Sequence, residues 1–378
     1  MKKILINASN LHVGGGVQVA TSFILELSRM LDRLCACELV VYVSSAVDAN
    51  LISSGFDLTL IRNYRVIDVR GLEALRRGVS DNFYGFDLVF TIFGPMYLPR
   101  SIRNHVVGFA QSWIIYPKND VSLRLPLKER LRLRLKFIVQ WWFFRTSSQL
   151  IVEAKHVRDG LIKEKYFPGD RIDVVSNCVS AIYYEPARWE PVLGLNGGPP
   201  GVVKIGYVSR AYIHKNIDFL VDVARELRLV GGVEYQFFVT LNSDEWEARS
   251  DEFRRNIFNV GPLNVAQCPS FYKSMDAVFF PSLLESFSAT PLEAMLMRRP
   301  LFASDRDFVR DCCGVNALYF DPLDPSAAAK KIADWFCKAD DDVRESHLER
   351  AYRHVMSRPG SRDRACSYID IINAKMNS

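Results

Sequence analysis

Sixteen residues near the middle of the chain, 186–201, hold four prolines and four glycines. Proline fixes φ and removes a backbone donor, and glycine widens the backbone's choices, so this density excludes regular structure and marks a linker. On either side of it the same pattern runs. Before it, residues 3–8, 39–43, 86–92, 106–109 and 150–152 are short apolar runs, and 17–31 carries Ala20, Phe23, Ile24, Leu27 and Leu31 at helical spacing. After it, 202–208, 235–240, 257–260, 277–281 and 300–303 read as strands, 216–229 as a helix, and the chain from 324 onward as mainly helical. Short buried strands alternating with helices imply parallel sheets covered on both faces. The expected architecture is therefore α/β: two Rossmann-like doubly wound domains facing across a cleft. They span 1–185 and 202–360, and the linker is 186–201. A final helix, 361–378, is expected to pack back on the first domain. A chain of 378 residues is too long for one ordinary core and suits two.

Composition narrows the function. Apolar residues make up 49% and charged residues 24%, as in a folded globular chain. The run Ile4-Leu5-Ile6 stops at Asn7, too short for a secretory core, and no stretch approaches the ~18 apolar residues of a spanning helix. A cytoplasmic location follows as an expectation, with peripheral contact at the inner face of the membrane left open. The eight cysteines have no paired zinc spacing and read as reduced, mostly buried thiols. A net charge of +5 permits an anionic partner without requiring one. No nucleic-acid motif accompanies it, so no nucleic-acid partner is expected.

Asp305-Arg306-Asp307 resembles a metal-binding D-x-D, but it follows a strand, and Asp305 is read as a helix N-cap. Asp340 to Asp342 read as a solvated helix start. Segment 122–145 carries Arg124, Lys128, Arg130, Arg132, Arg134, Lys136 and Arg145 against Glu129 alone, and it ends in Trp141-Trp142-Phe143-Phe144. Leu127, Leu131, Leu135 and Trp142 form one apolar stripe, and Leu133, Phe137 and Phe144 another. Such a helix either lies on an anionic membrane surface or is buried on both sides.

Three segments at strand ends carry the chemistry. Gly14-Gly15-Gly16 follows the first strand. Glycines there either bring the backbone close to an anion or simply make a tight turn. Ser209-Arg210, followed by His214-Lys215-Asn216, comes after the first strand of the second half. Arg210 and Lys215 either reach one diphosphate, as fork and point charge, or are ordinary surface cations. Then Ser282, Glu285, Phe287, Ser288, Ala289, Thr290, Pro291 and Glu293 follow the apolar run 277–281. Thr290, Pro291 and Glu293 fit the N-cap, N1 and N3 places of a capping box. The alternative for Glu293 is a carboxylate that accepts from a ribose. Glu285 is placed to reach a sugar hydroxyl.

The Glu285-x₇-Glu293 spacing, in the setting Phe-Phe-Pro-Ser-Leu-Leu-Glu-Ser-Phe and Pro-Leu-Glu-Ala-Met, resembles the signature of family 4 retaining glycosyltransferases of the GT-B fold. Arg210 with Lys215-Asn216 resembles that family's diphosphate pair. Val174-Val175-Ser176-Asn177 resembles the close of its N-terminal domain, and Gly14-Gly15-Gly16 its N-terminal loop. The resemblance implies a retaining hexosyltransferase that takes its sugar from a nucleotide-diphosphate donor, without cofactor or metal. Arg210 and Lys215 would hold the diphosphate, Glu293 the ribose and Glu285 the sugar. Ser209, Phe287, Ser288, Ala289, Thr290, Gly15 and Gly16 would complete the donor site. The acceptor it implies is a glycan or lipid-linked molecule, in cell-surface polysaccharide or lipopolysaccharide synthesis. Two departures stand out. Ser286-Phe287-Ser288 replaces the family's Gly-Phe-Gly, and Gln111 with Trp113 stands where many members carry a histidine on the acceptor side, His105 lying too early in its strand. The rival readings are an NAD-dependent oxidoreductase, which here lacks G-x-G-x-x-G, and a non-catalytic nucleotide-sugar binding protein.

Overall fold

The computed structural model describes residues 2–35, 37–195 and 201–377. It divides into two compact units. The first comprises residues 1–117, 125–178 and 359–378, and the second 118–124 and 179–358.

The first unit holds seven parallel strands: β1 (Lys2–Ala8), β2 (Cys37–Val43), β3 (Asn63–Val66), β4 (Leu88–Thr91), β5 (His105–Phe109), β6 (Gln149–Val152) and β7 (Ile172–Val174), in the order 3-2-1-4-5-6-7. The second holds six: β8 (Val203–Tyr207), β9 (Tyr235–Val239), β10 (Ile257–Asn259), β11 (Ala277–Phe280), β12 (Leu301–Ser304) and β13 (Leu318–Phe320), in the order 10-9-8-11-12-13. Both are doubly wound. Their order reverses between β1 and β4, and between β8 and β11. In such sheets, ligands bind beyond the carboxyl ends of the strands at that reversal.

The central strands are apolar through and through because helices cover both faces. β4, β5, β6, β11 and β12 are buried along their whole length. In the second unit, Phe279 of β11 stacks on Phe320 at 4.7 Å, and Phe219 lies nearly parallel to both, 6.3 Å from Phe279 and 6.1 Å from Phe320. Gly206 of β8 has no side chain for a steric reason. A Cβ there would come within 2.7 Å of Met275 and 2.8 Å of Phe271. Gly108 of β5 is tighter still, since a Cβ would lie 1.8 Å from the carbonyl oxygen of Ile92.

Three sequence expectations change. The proline- and glycine-rich segment is not a plain connector, because its Leu195 is buried in the second unit's core, and that unit begins ahead of it, at Val179, with Ile182 and Tyr183 buried in the same core. Residues 196–200 of that segment lie outside those described. The short helix Asp120–Arg124 belongs to the second unit, although it precedes the linker by some sixty residues. Only Cys312 and Cys313 among the cysteines are buried. All eight are free, five are half-buried and Cys337 is exposed.

The chain's last helix, Ser361–Asn377, completes the first unit. Tyr368, Ile369, Ile372 and Met376 are buried in its core, and the Tyr368 ring meets Phe23 and Phe90 edge-on, each at 5.2 Å. Buried Arg364 donates to Ser22 Oγ at 2.9 Å and to Asn177 Oδ1, while Asn177 Nδ2 donates to Glu153 Oε1 at 2.6 Å.

Candidate donor and acceptor sites

In the second unit, the loop after β8 and the loop after β11 flank the reversal of strand order. Together they bring Lys215 and Glu285 into contact. Lys215 Nζ donates to Glu285 Oε1, with both side chains largely buried. Ser282 Oγ donates to the same carboxylate oxygen at 2.7 Å and also approaches the carbonyl of His214 at 3.2 Å. The backbone is sewn between the loops as well, since Leu283 N–H donates to the His214 carbonyl at 2.7 Å. Burial pushes the His214 imidazole below its ordinary range and favours its neutral form. Asn216 ends the turn at φ 53, a left-handed conformation that asparagine tolerates. Its Nδ2 donates to the Pro322 carbonyl at 2.9 Å and its Oδ1 accepts from Arg124 at 3.0 Å.

Arg210, half exposed, lies on the same loop but faces a different carboxylate. Its Nε donates to both Glu245 oxygens, at 2.9 and 3.0 Å. Glu245 also accepts from the backbone N–H of Ala211 and Asn242, each at 3.1 Å. Burial raises the carboxyl, but Arg210 and these amides outweigh it and hold Glu245 below the usual range. Arg210 and Lys215 are thus each held by a carboxylate. Ser209 is buried, its N–H donating to Thr240 Oγ1 at 3.1 Å.

Glu293 is not a helix cap. The helix Thr290–Leu296 begins after Ala289, with no side chain capping it, so neither Thr290 nor Glu293 plays the capping-box part. Instead the Glu293 carboxylate accepts from the Tyr272 hydroxyl at 2.9 Å, with the Tyr183 phenol beside it. Burial raises its pKa, and the two phenols only partly offset that. Phe287, Ser288, Ala289 and Thr290 are half-buried on the approach to this helix. Asp305 is not an N-cap either. It pairs with Arg310, at 2.7 Å through Nη2, and the helix Asp307–Cys313 starts after Arg306. Asp340 stands before the helix Asp341–Met356, in an exposed position.

In the first unit, Gly14 has φ 73 and opens the helix Gly15–Ser28, where Gly15 is exposed and Gly16 half-buried. The reversal between β1 and β4 is marked by a cavity of about 210 Å³ lined by Asn10, Val69, Gly71, Ala74, Gly94, Pro95, Met96, Tyr97, Gln111 and Gln140. None of these residues is charged. Asn10 Nδ2 donates to the Phe93 carbonyl at 2.8 Å and Gln140 Nε2 to Tyr97 Oη at 3.1 Å. Asn10 Oδ1 and Gln140 Oε1 are buried with no hydrogen-bond partner among the described residues. Trp113 does not line this cavity and stacks on Phe137 at 5.5 Å. His105, at the opposite end of β5, is buried and hydrogen-bonded to Thr91 Oγ1 at 2.9 Å, and burial pulls its pKa down to about 4. Sequence reasoning missed Tyr272, Tyr183 and Glu245, each from a distant segment with no local pattern. It named Arg124 only as one cation of the basic segment, and passed over Gln140 in that segment and Asn10 just before the glycine loop.

Residues 202–337 match the family described as Glycosyl transferases group 1. Among curated proteins none matches the chain in sequence. Among solved structures the chain resembles a glycosyltransferase from Rickettsia africae, with TM-score 0.70 and 14% identity over 100% of this chain and 99% of that one. It also resembles HepE from Anabaena in complex with UDP and glucose, with TM-score 0.65 and 15% identity over 99% and 100%. Sucrose-phosphate synthase from Thermosynechococcus elongatus gives TM-score 0.65 and 14% identity over 99% of each chain. At these identities the likeness is one of fold, the two-sheet GT-B architecture.

Proposed function

We propose that this GT-B chain, whose residues 202–337 match the glycosyl transferases group 1, is a retaining glycosyltransferase of family 4 that moves a hexose from a nucleoside-diphosphate donor to a hydroxyl-bearing acceptor. The observation that carries the reading is the junction of the loops after β8 and β11, where Lys215, Ser282 and Glu285 meet. On this reading the Lys215 ammonium and the Arg210 guanidinium take up charge that develops on the leaving diphosphate. Glu285, freed in part from Lys215 by the incoming phosphate, accepts from a sugar hydroxyl. Glu293 accepts from the ribose, and the 287–290 backbone lines the phosphate path. The solved structure of HepE with UDP and glucose supports a uridine donor as the first to test.

The cavity of the first unit supports the acceptor half. Its lining is uncharged, and Asn10 Oδ1 and Gln140 Oε1 are buried oxygens in want of donors. A neutral sugar supplies O–H groups to both, whereas a phosphate or carboxylate would meet no cation there. A glycan or lipid-linked glycan fits this chemistry, in the synthesis of a cell-surface polysaccharide, at the cytoplasmic side.

The test is sugar release or transfer from UDP-glucose and other nucleotide sugars, with the anomer of the product read by NMR. Lys215→Ala is expected to lose about 2.7–4 kcal/mol of transition-state stabilisation, the loss that follows removal of one charge-stabilising donor, so its turnover should fall by roughly two to three orders of magnitude. Glu285→Gln is expected to lose about 1.5–3 kcal/mol for the charged acceptor, a fall of roughly one to two orders of magnitude. Wild-type turnover in the variants would discard these roles. A product of inverted configuration would discard the retaining assignment. Donor binding with neither transfer nor hydrolysis would make the chain a binding protein.

A further inference from the structure

The helix Leu127–Phe144 packs on the first unit by one stripe only. Leu133, Phe137 and Trp141 are half-buried, and Gln140 and Phe144 are buried. Its other apolar stripe is bare. Leu127, Leu131, Leu135, Ile138 and Trp142 recur at helical spacing and are 78%, 66%, 62%, 56% and 52% exposed. A monomeric soluble surface seldom leaves five large apolar side chains in one row. Cations border the row on both sides: exposed Lys128, Arg132 and Lys136 along one flank, Arg134 along the other. Glu129 is the helix's one acid. No helix among the described residues is long and apolar enough to cross a membrane.

We propose that this outer face is an interfacial anchor that seats the first unit on an anionic lipid surface. An apolar stripe enters the boundary between headgroups and acyl chains while flanking cations stay at headgroup level. The charge argues for lipid over a second copy of the chain, since a like helix would set these cations against their own kind. Gln140, on the opposite face, lines the uncharged cavity of the first unit. One helix therefore joins lipid surface and cavity, and suits an acceptor carried on a lipid. That last step rests on the transferase reading; the docking does not.

The experiment is co-sedimentation of the full chain with vesicles of phosphatidylcholine alone and of phosphatidylcholine mixed with phosphatidylglycerol. The wild type is expected to partition onto the mixed vesicles and not the neutral ones, and to come off as salt is raised. Replacing Lys128, Arg132, Arg134 and Lys136 by Gln is expected to weaken partitioning by about six hundredfold, at about fivefold per cation near the surface. Leu131→Ser with Leu135→Ser and Ile138→Ser is expected to abolish it. All these side chains are exposed, so circular dichroism, thermal unfolding and UDP binding should be unchanged in both variants. No partitioning of the wild type, equal partitioning on both vesicle types, or full partitioning of either variant overturns the proposal. So does a dimer in solution that the serine variant dissolves while vesicles bind nothing. Absence of UDP binding by the wild type would count against the transferase reading and leave the anchor standing.

Discussion

At the scale of single residues, the half-buried carboxyl of Glu293 sets an opposition between stability and binding. Its folded pKa lies above the ordinary carboxylate range because burial outweighs the Tyr272 hydrogen bond and the nearby Tyr183 phenol. A carboxyl raised in this way favours the folded state fully at pH below its unfolded pKa, and that contribution is lost as pH rises through the folded value. Glu293→Gln keeps an acceptor for Tyr272 and removes the ionisation. Its melting temperature is therefore expected to fall less than the wild type's between acid and neutral pH, while donor affinity drops by about 1.5–3 kcal/mol for the lost charged acceptor. Thermal unfolding across pH, with calorimetry of UDP binding at pH 7, reads both. Parallel pH profiles would mean that Glu293 ionises freely in the fold. The Glu285 and Glu293 spacing was legible because both lie on one loop and the helix after it. Their partners were not, since Tyr272 and Tyr183 come from 21 and 110 residues upstream and local pattern says nothing of tertiary approach. For the same reason Glu293 looked like a cap. The capping spacing was present, but the Tyr272 hydroxyl held its carboxylate elsewhere.

At the scale of elements, the strands that the sequence discloses are mostly the ones buried on both faces, the short edge strand β10 being the exception. β1, β2, β4, β5, β6, β8, β9, β11 and β12 are unbroken apolar runs or nearly so. β3, β7 and β13 escaped notice, and each is an edge strand of three or four residues, half open to solvent. An edge needs fewer apolar side chains, so its period-2 signal is lost in so short a run. The last helix has a weak amphipathic signature yet carries a core ring. Tyr368→Ala removes the aromatic that joins Phe23 to Phe90 and is expected to cost about 3–5 kcal/mol, as for other buried aromatics cut to alanine. Chemical denaturation followed by the fluorescence of Trp113, Trp141 and Trp142, all in the first unit, would measure it. A change below about 0.5 kcal/mol, the level of ordinary surface substitutions, would mean that the helix adds nothing to that core.

At the scale of the whole molecule, the repeat of one pattern on either side of a proline- and glycine-rich break disclosed two doubly wound sheets. The path of the chain between them was only half legible. Residues 359–378 return to the first unit, as the final helix was expected to, but residues 118–124 belong to the second unit and gave no sign of it. What marks either segment is a few buried side chains, such as Val121 and Ile369, and burial is set by what folds against them. This partition makes ligand linkage specific to one unit. A nucleoside diphosphate that binds the loops after β8 and β11 adds free energy to the second unit, by about 2.7 kcal/mol at 100 times its dissociation constant. For a domain of this size, each kcal/mol moves the transition by roughly 2–4 °C. Trp189, Trp246 and Trp335 all lie in the second unit. Their thermal transition is therefore expected to rise by several degrees with UDP and to stay put with NAD. Lys215→Ala should clearly reduce the rise, because one of the two cations that would meet the diphosphate is gone and only Arg210 is left. A rise with NAD in place of UDP would turn the reversal of β8 and β11 into a dinucleotide site. An equal rise for wild type and Lys215→Ala would move the diphosphate away from the loop proposed to hold it.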